Sequence, residues 1–391
     1  MYEILINDTP VKVWARTVDP SAYKQIMNLS TLPFVFHHLA FMPDVHAGVG
    51  MTIGGVLATK GAVIPNAVGV DIGCGMCAIR TNIRVEDVES DLLRKGIMRG
   101  IRKAIPVGMD RHTAAQDESL MPQGFDIDSM PIVSQQYKPA LKQLGTLGGG
   151  NHFIELQRDP EGLMWIMIHS GSRNIGLKVA EHYNRIARDL NSRWFSRIDP
   201  EINLAFLPVG SREFSYYWKE MEFCTQFGLA NRQLMMDRIC SIIKDNLPEA
   251  EFEPMINIAH NYATWEHHFD EDVIIHRKGA TRAREGEIGI IPGSQGTKSY
   301  ITMGLGNPDS FMSCSHGAGR KMSRTEAVRN LSLEEEKAKL DAKGIIHAIR
   351  CQNDLEEAAS AYKDIDEVMA SQEDLTRILT PLEPVAVIKG V

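Results

Sequence analysis

Two long stretches of the chain consist of short apolar runs separated by glycines. They cover residues 39–82 and 255–320. This pattern predicts short β-strands joined by tight turns, because glycine permits the backbone conformations that such turns require. Residues 3–13 have apolar positions on both sides of the turn-forming segment Asn7-Asp8-Thr9-Pro10, which predicts a β-hairpin.

Apolar residues at helical spacing occupy other parts of the chain. This spacing predicts helices over residues 84–103, 175–194, 218–246, 323–340 and 355–369. The apolar segment 163–172 predicts a buried strand that ends in a turn. Residues 106–143 are polar and contain both Met and Pro, and we interpret them as a variable surface excursion.

The order of these elements predicts an α+β fold. No sequence period repeats, and no linker rich in Pro, Ser or Gly divides the chain. We therefore expect one interleaved catalytic unit over residues 1–391, built from glycine-punctuated β-strands with flanking helices.

Composition and charge narrow the class of protein. Of the 391 residues, 43% are hydrophobic, which is enough for a substantial core and excludes disorder as the main state. The net charge of −8 argues against a protein that coats nucleic acid or anionic membranes indiscriminately. A polyanionic partner would need a local basic patch, for which the candidates are Arg173, Lys278, Arg282, Arg284, Lys298, Arg320 and Arg324.

The sequence also predicts a cytoplasmic location without a membrane partner. It contains no apolar run approaching about 18 residues, and its first residues lack the pattern of a signal peptide. The six cysteines are too sparse for a disulfide framework, so we expect them to be thiols or thiolates.

Candidate metal ligands lie at the ends of predicted strands. Asp71 and Cys74 belong to the glycine-rich segment 69–77, and three histidines occur in similar surroundings at 152, 169 and 260. Together, Asp71, Cys74, His152, His169 and His260 offer five mixed donors, enough for two divalent ions if the thiolate bridges. The softness of the donors alone would favour zinc. The donor set does not by itself identify which metal is bound.

Cys77 forms a CxxC pair with Cys74, but the chain has no second CxxC. A structural zinc site with four cysteines would therefore lack sulfur ligands. We interpret Cys74, which lies between two glycines, as the ligand and Cys77 as a small core residue.

Glycine clusters at 147–151, 170–172, 292–296 and 316–319 could bind anions through backbone N–H groups. None matches a P-loop or a dinucleotide-binding motif. His316 precedes Gly317-Ala318-Gly319-Arg320, which sets an imidazole beside such amides. It could act as a nucleophile towards phosphorus or serve as a fourth imidazole ligand, and both readings stay open.

Several motifs resemble the RtcB family of RNA ligases. They occur in family order from about residue 40 onwards: MPDVHAGVG (42–50), GVDIGCGM (69–76), GTLGGGNHFIE (145–155), HSGSRNIG (169–176), IPGSQGTKSY (291–300), SCSHGAGR (313–320), AYKDID (361–366) and VIKG (387–390).

The resemblance implies an RtcB-like fold and a reaction that uses GTP and manganese. RNA ends bearing a 3′-phosphate or 2′,3′-cyclic phosphate would be joined to 5′-hydroxyl RNA ends, with His316 as the guanylylated catalytic residue. The five candidate ligands would bind two Mn²⁺ ions, with Cys74 bridging. His152 and His169 would belong to one ion, and Asp71 and His260 to the other.

The resemblance also implies a guanylate pocket. In it, Glu155 would accept hydrogen bonds from the guanine edge and Lys389 would approach the nucleotide. The implied pocket residues are Asn151, Glu155, Asn261, Pro292, Gly293, Ser294, Gln295, Ser299, Gly317, Ala318, Gly319 and Lys389.

Two other functions are compatible with these residues. A dinuclear metallophosphoesterase would use the same ligands to activate water on RNA ends, with His316 as a ligand. An RNA-binding or repair-complex subunit that has lost turnover would still bind RNA but would catalyse no reaction. The complete set of candidate metal ligands argues against this function. The sequence leaves open which RNA is joined, whether the duty is tRNA splicing or RNA repair, and whether an accessory activating protein takes part.

Overall fold

The computed structural model describes residues 1–390 and contains seventeen strands. They are β1 (Tyr2–Ile6), β2 (Thr9–Val13), β3 (Val35–His46), β4 (Ile53–Thr59), β5 (Ala62–Val63), β6 (Gly75–Arg84), β7 (Phe153–Arg158), β8 (Leu163–Ser170), β9 (Leu207–Pro208), β10 (Ile256–Ala259), β11 (Asn261–His268), β12 (Glu271–Lys278), β13 (Ala280–Arg282), β14 (Ile288–Ile291), β15 (Ser299–Gly304), β16 (Ser313–Ser315) and β17 (Thr376–Lys389).

Nine α-helices accompany these strands within the same residues. They are α1 (Pro20–Leu29), α2 (Pro65–Val68), α3 (Arg99–Ala104), α4 (Val133–Leu141), α5 (Arg173–Arg193), α6 (Arg212–Asn246), α7 (Arg324–Asn330), α8 (Leu333–Ala342) and α9 (Ile365–Ala370). A π-helical segment, Leu92–Met98, leads directly into α3.

Thirteen of these strands form two large sheets, and β5 with β9 and β13 with β16 form two small ones. The six-stranded sheet has the order β1-β2-β3-β4-β12-β11, and the seven-stranded sheet has the order β10-β6-β8-β7-β17-β15-β14. Adjacent strands of the seven-stranded sheet come from distant parts of the chain, since β10 pairs with β6 and β17 pairs with β7. The α+β fold class is confirmed. That the whole chain forms a single unit stays a prediction.

The long helix α6 links two hydrophobic cores. Its first half, including Phe223 and Phe227, packs in one core with α5, and its second half, including Met236 and Ile239, packs in another with β6, β7 and β8. Apolar residues therefore fix α6 behind both β6 and β8. No helix within residues 1–390 combines the length and the apolar character needed to cross a membrane.

Several predicted elements are confirmed. The hairpin over residues 3–13 corresponds to β1 and β2, whose turn residues Asn7 and Asp8 have positive φ angles of 49° and 61°. The buried strand over 163–172 corresponds to β8, and the helix over 175–194 corresponds to α5. The helix predicted over 218–246 begins earlier, because the Ser211 side chain caps α6 by accepting from Phe214 N.

The helical segments predicted over 323–340 and 355–369 are interrupted in the structure. The first is divided into α7 and α8, because Leu331 is extended and the Ser332 side chain accepts from Glu335 N to begin a new helix. The second consists of short 3₁₀ turns followed by α9. In both segments, local capping ends the regular helix that apolar spacing alone predicts.

Residues 106–143 contain more order than their sequence indicates. They form two 3₁₀ turns and α4, and they bury Met121, Met130 and Val133 in the core around α5. The variability of this segment among relatives stays a prediction.

Candidate functional site

The five candidate metal ligands converge where the two large sheets meet. Cys74 immediately precedes β6, His152 precedes β7, and His169 lies near the end of β8. His260 joins β10 of one sheet directly to β11 of the other. The strand order thus brings together side chains that are far apart in sequence.

The donor atoms of these ligands are within contact distance of one another. Cys74 Sγ lies 3.3 Å from His152 Nε2 and 3.2 Å from His169 Nε2, and the three atoms form a compact buried group. His152 Nε2 is 3.1 Å from Asp71 Oδ2, and His169 Nε2 is 3.3 Å from His260 Nε2. These contacts bring Asp71 to His152 and His260 to His169, whereas the resemblance pairs the ligands differently. The assignment of ligands to individual ions stays a prediction.

A glycine turn brings Cys74 to this position. Gly73 has a positive φ of 72°, and a Cβ on it would lie 2.7 Å from the backbone carbonyl oxygen of Cys224. A side chain at residue 73 would therefore push the turn away from α6. Asn261 reinforces the turn, since its Nδ2 donates to Asp71 O and its carbonyl oxygen accepts from Gly73 N.

Two fully buried polar residues of α6 support the ligand strands from behind. Arg232 Nη1 donates to the carbonyl oxygens of Gly73 and Ser170, which are adjacent to Cys74 and His169. Asn231 Oδ1 accepts from the backbone N–H groups of residues 145 and 146. These hydrogen bonds hold the ligand-bearing segments in a fixed relation to one another.

Burial keeps Cys74, His169 and His260 uncharged when no cation is bound. Burial, together with the neighbouring Asp71 carboxylate, raises the pKa of the Cys74 thiol well above its usual value. Burial and the adjacent imidazoles lower the pKa of His169 and His260 well below the ordinary range. Their rings are therefore neutral, the form in which imidazole binds metals.

The donor set fits a metal centre. One carboxylate oxygen, one sulfur and three imidazole nitrogens converge, and the Nε2 atoms of His169 and His260 face each other at 3.3 Å. A divalent cation would satisfy these facing lone pairs and would favour the thiolate form of Cys74. The mixed O, S and N donors suit a first-row divalent metal.

His316 lies beside this cluster and is oriented by a carboxylate. It follows β16, and its ring is 4.8 Å from that of His260, in an edge-to-face arrangement. His316 Nδ1 is 2.6 Å from Oδ2 of the fully buried Asp44, and the His316 backbone N–H donates to the same oxygen. The contact with Asp44 holds the proton on Nδ1, which leaves the Nε2 lone pair free.

The charge on Asp44 is supported by its surroundings. Burial alone would raise the pKa of Asp44, but His316, His46 and Lys363 hold it below the ordinary value. An ionised carboxylate therefore faces His316 Nδ1. The same arrangement stabilises a positive charge on the ring if Nε2 forms a covalent bond.

A cavity of about 770 Å³ opens beside His316. This volume is within the range of small-molecule sites in proteins. Of the residues predicted from the resemblance, the cavity wall contains His169, His316, Asn151, Glu155, Pro292, Gly293, Ser294, Gln295, Gly317, Ala318, Gly319 and Lys389.

Two predicted pocket residues do not line the cavity. Asn261 supports the Asp71 turn and accepts from Gly279 N. Ser299 is 1% exposed, and its hydroxyl accepts from Gly293 N and Gln157 Nε2. In this structure both residues support the shape of the site rather than forming its surface.

Glu155 and Lys389 carry perturbed ionisable groups in the cavity. Burial raises the pKa of Glu155 to about 8, despite a hydrogen bond from Gln157 and the charge of Lys389. Burial lowers the pKa of Lys389, while Glu357 and Glu155 oppose that change. The pairing of β17 with β7 brings the two side chains to neighbouring positions.

Several residues of this site were not predicted from the sequence. Asp44 belongs to the motif MPDVHAGVG, yet no role was predicted for it. The cavity wall also includes Glu357, Tyr362 and Lys363, two of which lie in the motif AYKDID, and residues 17–21 at the beginning of α1. Membership of an ordered motif was the available signal for Asp44, Tyr362 and Lys363.

The basic patch predicted from the sequence is mostly not a free surface. Arg282 forms a bidentate pair with Glu287, and Lys278 is buried, with its ammonium donating to two backbone carbonyls. Arg173 is largely buried and donates to Thr146 and Gly108. Two of the candidate basic residues, Arg320 and Arg324, line the cavity, and of these two only the Arg324 side chain is half exposed.

Comparison with known proteins identifies the family. A family model described as tRNA-splicing ligase RtcB matches residues 25–390. The chain belongs to the RtcB family. Membership in RtcB makes the chain an enzyme of the RNA ligase class, and the recognition made from the motifs is confirmed.

Individual relatives agree with membership in RtcB. The RNA-splicing ligase RtcB of Escherichia coli strain K12 is 40% identical over the full length of both chains. The tRNA-splicing ligase RtcB of Nanoarchaeum equitans is 32% identical and covers 98% of this chain and 96% of its own length. The RNA-splicing ligase RtcB of Mycobacterium tuberculosis is 32% identical over 94% of this chain and all of its own length.

Proposed function

We propose that this enzyme joins RNA 3′-phosphate or 2′,3′-cyclic phosphate ends to RNA 5′-hydroxyl ends, using GTP and two Mn²⁺ ions. The observation that carries the proposal is the position of His316. Its ring lies beside His260 of the metal-ligand cluster and lines the cavity, and Asp44 engages its Nδ1, which leaves Nε2 as the free ring nitrogen.

The proposed first step is attack of His316 Nε2 on the α-phosphorus of GTP. The N–P bond forms while the bond to pyrophosphate breaks, and Asp44 stabilises the positive charge that develops on the imidazole. Bound divalent ions would supply Lewis-acid neutralisation of phosphate charge, with Asp71, Cys74, His152, His169 and His260 as their ligands.

The proposed second and third steps transfer GMP to RNA and seal the strands. A 3′-phosphate oxygen displaces His316, which leaves as neutral imidazole, and the RNA end then carries a 3′–5′ pyrophosphate to GMP. The 5′-hydroxyl of the other RNA attacks this activated phosphorus and releases GMP. A 2′,3′-cyclic phosphate must first be opened by water to the 3′-phosphate.

Residues of the cavity support the proposed guanylate site. Residues 292–295 and 317–319 line the wall beside His316, and the backbone N–H groups of the segment 317–319 can hold phosphate oxygens. Glu155 is positioned to accept from the donor edge of guanine, which would favour its ionised form. A cytoplasmic location, and a physiological role in tRNA splicing or RNA repair, complete this proposal.

The test is intact-mass measurement after incubation with GTP and Mn²⁺. We expect a gain of one GMP in the wild-type protein and no gain in His316→Ala. The matched control is His267→Ala, which removes an exposed imidazole remote from the cavity and should keep the adduct. An unmodified wild-type protein that still removes phosphate from RNA ends would instead support the dinuclear phosphoesterase.

A further inference from the structure

A single buried carboxylate connects three basic residues of the cavity wall, Arg320, Arg324 and Lys389. Glu357 is 4% exposed, and its Oε1 lies 2.9 Å from Arg324 Nε and 3.3 Å from Arg320 Nη1. Its Oε2 accepts from the Tyr362 hydroxyl and is 3.8 Å from Lys389 Nζ. Neither the motifs nor the proposed reaction gives Glu357 a role.

The three cations around Glu357 differ in how many of their donors are used. Each nitrogen of Arg320 already has a partner, because Nε donates to Met322 O, Nη1 to Glu357 and Nη2 to Glu356 O. Arg324 is held through Nε alone, and its Nη1 and Nη2 have no hydrogen-bond partner within residues 1–390. The terminal nitrogens of Arg324 are therefore available to a ligand.

Lys389 has free donors as well. Its ammonium makes no hydrogen bond to residues 1–390, and its described contacts are with the Glu357 carboxylate and the Phe153 ring, whose centroid is 5.7 Å away. The Lys389 side chain is 13% exposed and lines the cavity. A mostly buried ammonium without hydrogen-bond acceptors is costly unless a ligand supplies them.

The charges that meet at the Glu357 carboxylate do not balance. Arg320, Arg324 and Lys389 contribute three positive charges against the one negative charge of Glu357. Glu155, the other carboxyl group near Lys389, has a pKa raised by burial to about 8 and is mostly uncharged at neutral pH. The excess positive charge suits a phosphate monoester, which carries about −1.5 to −2.

We propose that Glu357 is a positioning residue that fixes Arg324 and Lys389 so that their free N–H groups receive a phosphate group of the substrate. Arg320 and Tyr362 anchor the Glu357 carboxylate and do not themselves bind the ligand. The phosphate could come from the nucleotide or from the 3′-phosphate end of RNA, since both have the same chemistry. This inference rests on the proposed function.

The experiment compares the wild-type protein with Glu357→Gln and Glu357→Asp. In one arm, guanylylation rates at varied GTP concentration and saturating Mn²⁺ give KM and the maximal rate. In the other, His316→Ala protein, with and without the Glu357 change, binds RNA oligomers that end in a 3′-phosphate or a 3′-hydroxyl. Glu271→Gln, which breaks a half-exposed surface pair with Lys60, is the matched control.

We expect Glu357→Gln to raise the KM for GTP, or the dissociation constant for 3′-phosphate RNA, by about tenfold or more, because its amide turns a donor towards the cations. The arm that changes identifies the source of the phosphate. Affinity for 3′-hydroxyl RNA and for Mn²⁺ should stay within about twofold. Glu357→Asp keeps the charge and should recover part of the loss.

Values within about twofold of wild type in both arms would overturn the inference, and so would equal weakening of 3′-phosphate and 3′-hydroxyl RNA. If Glu357→Gln does not fold, Glu357→Asp and Tyr362→Phe decide by the same criteria, since each disturbs the carboxylate without removing its charge. A wild-type protein that forms no GMP adduct contradicts the proposed function, while the RNA arm still tests Glu357.

Discussion

Replacing Asp44 with Asn tests the orientation and charge of the proposed nucleophile. Asp44 Oδ2 accepts two hydrogen bonds from His316, at 2.6 Å from Nδ1 and 3.2 Å from the backbone nitrogen. Asn preserves the shape and one acceptor but removes the negative charge. Since Asp44 is fully buried, water cannot replace that charge.

The expected effect of Asp44→Asn follows from the strength of hydrogen bonds to charged groups, about 1.5–3 kcal/mol. If that stabilisation is lost as positive charge develops on the ring, guanylylation slows by about 10- to 150-fold. The assay is single-turnover formation of the GMP adduct at saturating GTP and Mn²⁺. Thermal unfolding of the same samples monitors folding, and Asp272→Asn, at an exposed pair with His267, is the control.

A guanylylation rate for Asp44→Asn within about twofold of wild type, in a protein that melts normally, would refute this reasoning. It would mean that the carboxylate does not assist the ring when the N–P bond forms. A variant that loses the adduct and also unfolds at low temperature would assign Asp44 a role in folding instead of orientation.

Three other outcomes are expected. Cys74→Ala should abolish adduct formation and RNA joining. Cys77→Ser should retain most activity, because the Cys77 side chain packs in the core, 4.0 Å from Arg232 O. Equal losses of activity in the two variants would contradict the ligand assignment. Mn²⁺ should raise the melting temperature by mass action, and this rise should vanish with a chelator and in His169→Ala. Burial lowers the pKa of Lys278 to about 7, below the ordinary 10.5, so the unfolded chain binds more protons between these values. The free energy of unfolding from denaturant titrations should therefore gain up to about 1.4 kcal/mol per pH unit in this window, and Lys278→Met should remove the gain.

The site could be predicted further from sequence than the fold could, because its residues lie in short motifs. Cys74, His152 and His169 each stand beside glycines or at strand ends, and the structure brings their donor atoms together. By contrast, Asp44 acts through a partner 272 positions away in the chain. Local spacing contains no information about such a pair, so its role depends on tertiary structure.

Strand β17 shows why an element can be hidden in the sequence. It contains Pro381 and Pro384, which lack an N–H group and weaken a strand signal. The structure accommodates Pro384 at a register shift between Pro384 and Ala386, where the pairing with β7 is irregular. Lys389 is therefore held in a sheet, opposite Phe153 of β7.

The division between α7 and α8 had a local signal. Ser332 is followed by Glu335 three positions later, which is the beginning expected for a capped helix. Apolar spacing continued across this point and favoured one helix. Where the two signals conflict, the hydrogen bond from Glu335 N to the Ser332 side chain determines the boundary.

The strand order of the seven-stranded sheet has a consequence for how the protein is made. Cys77 pairs with Asn257, and Glu155 pairs with Val387, so sheet closure needs contacts between remote parts of the chain. Such topologies fold slowly, because large loops must close, at a cost in entropy, before the stabilising contacts between remote strands can form. During that interval, strand edges and thiols are open to aggregation and oxidation. Slow expression at low temperature with a thiol reductant should therefore raise the yield of native enzyme.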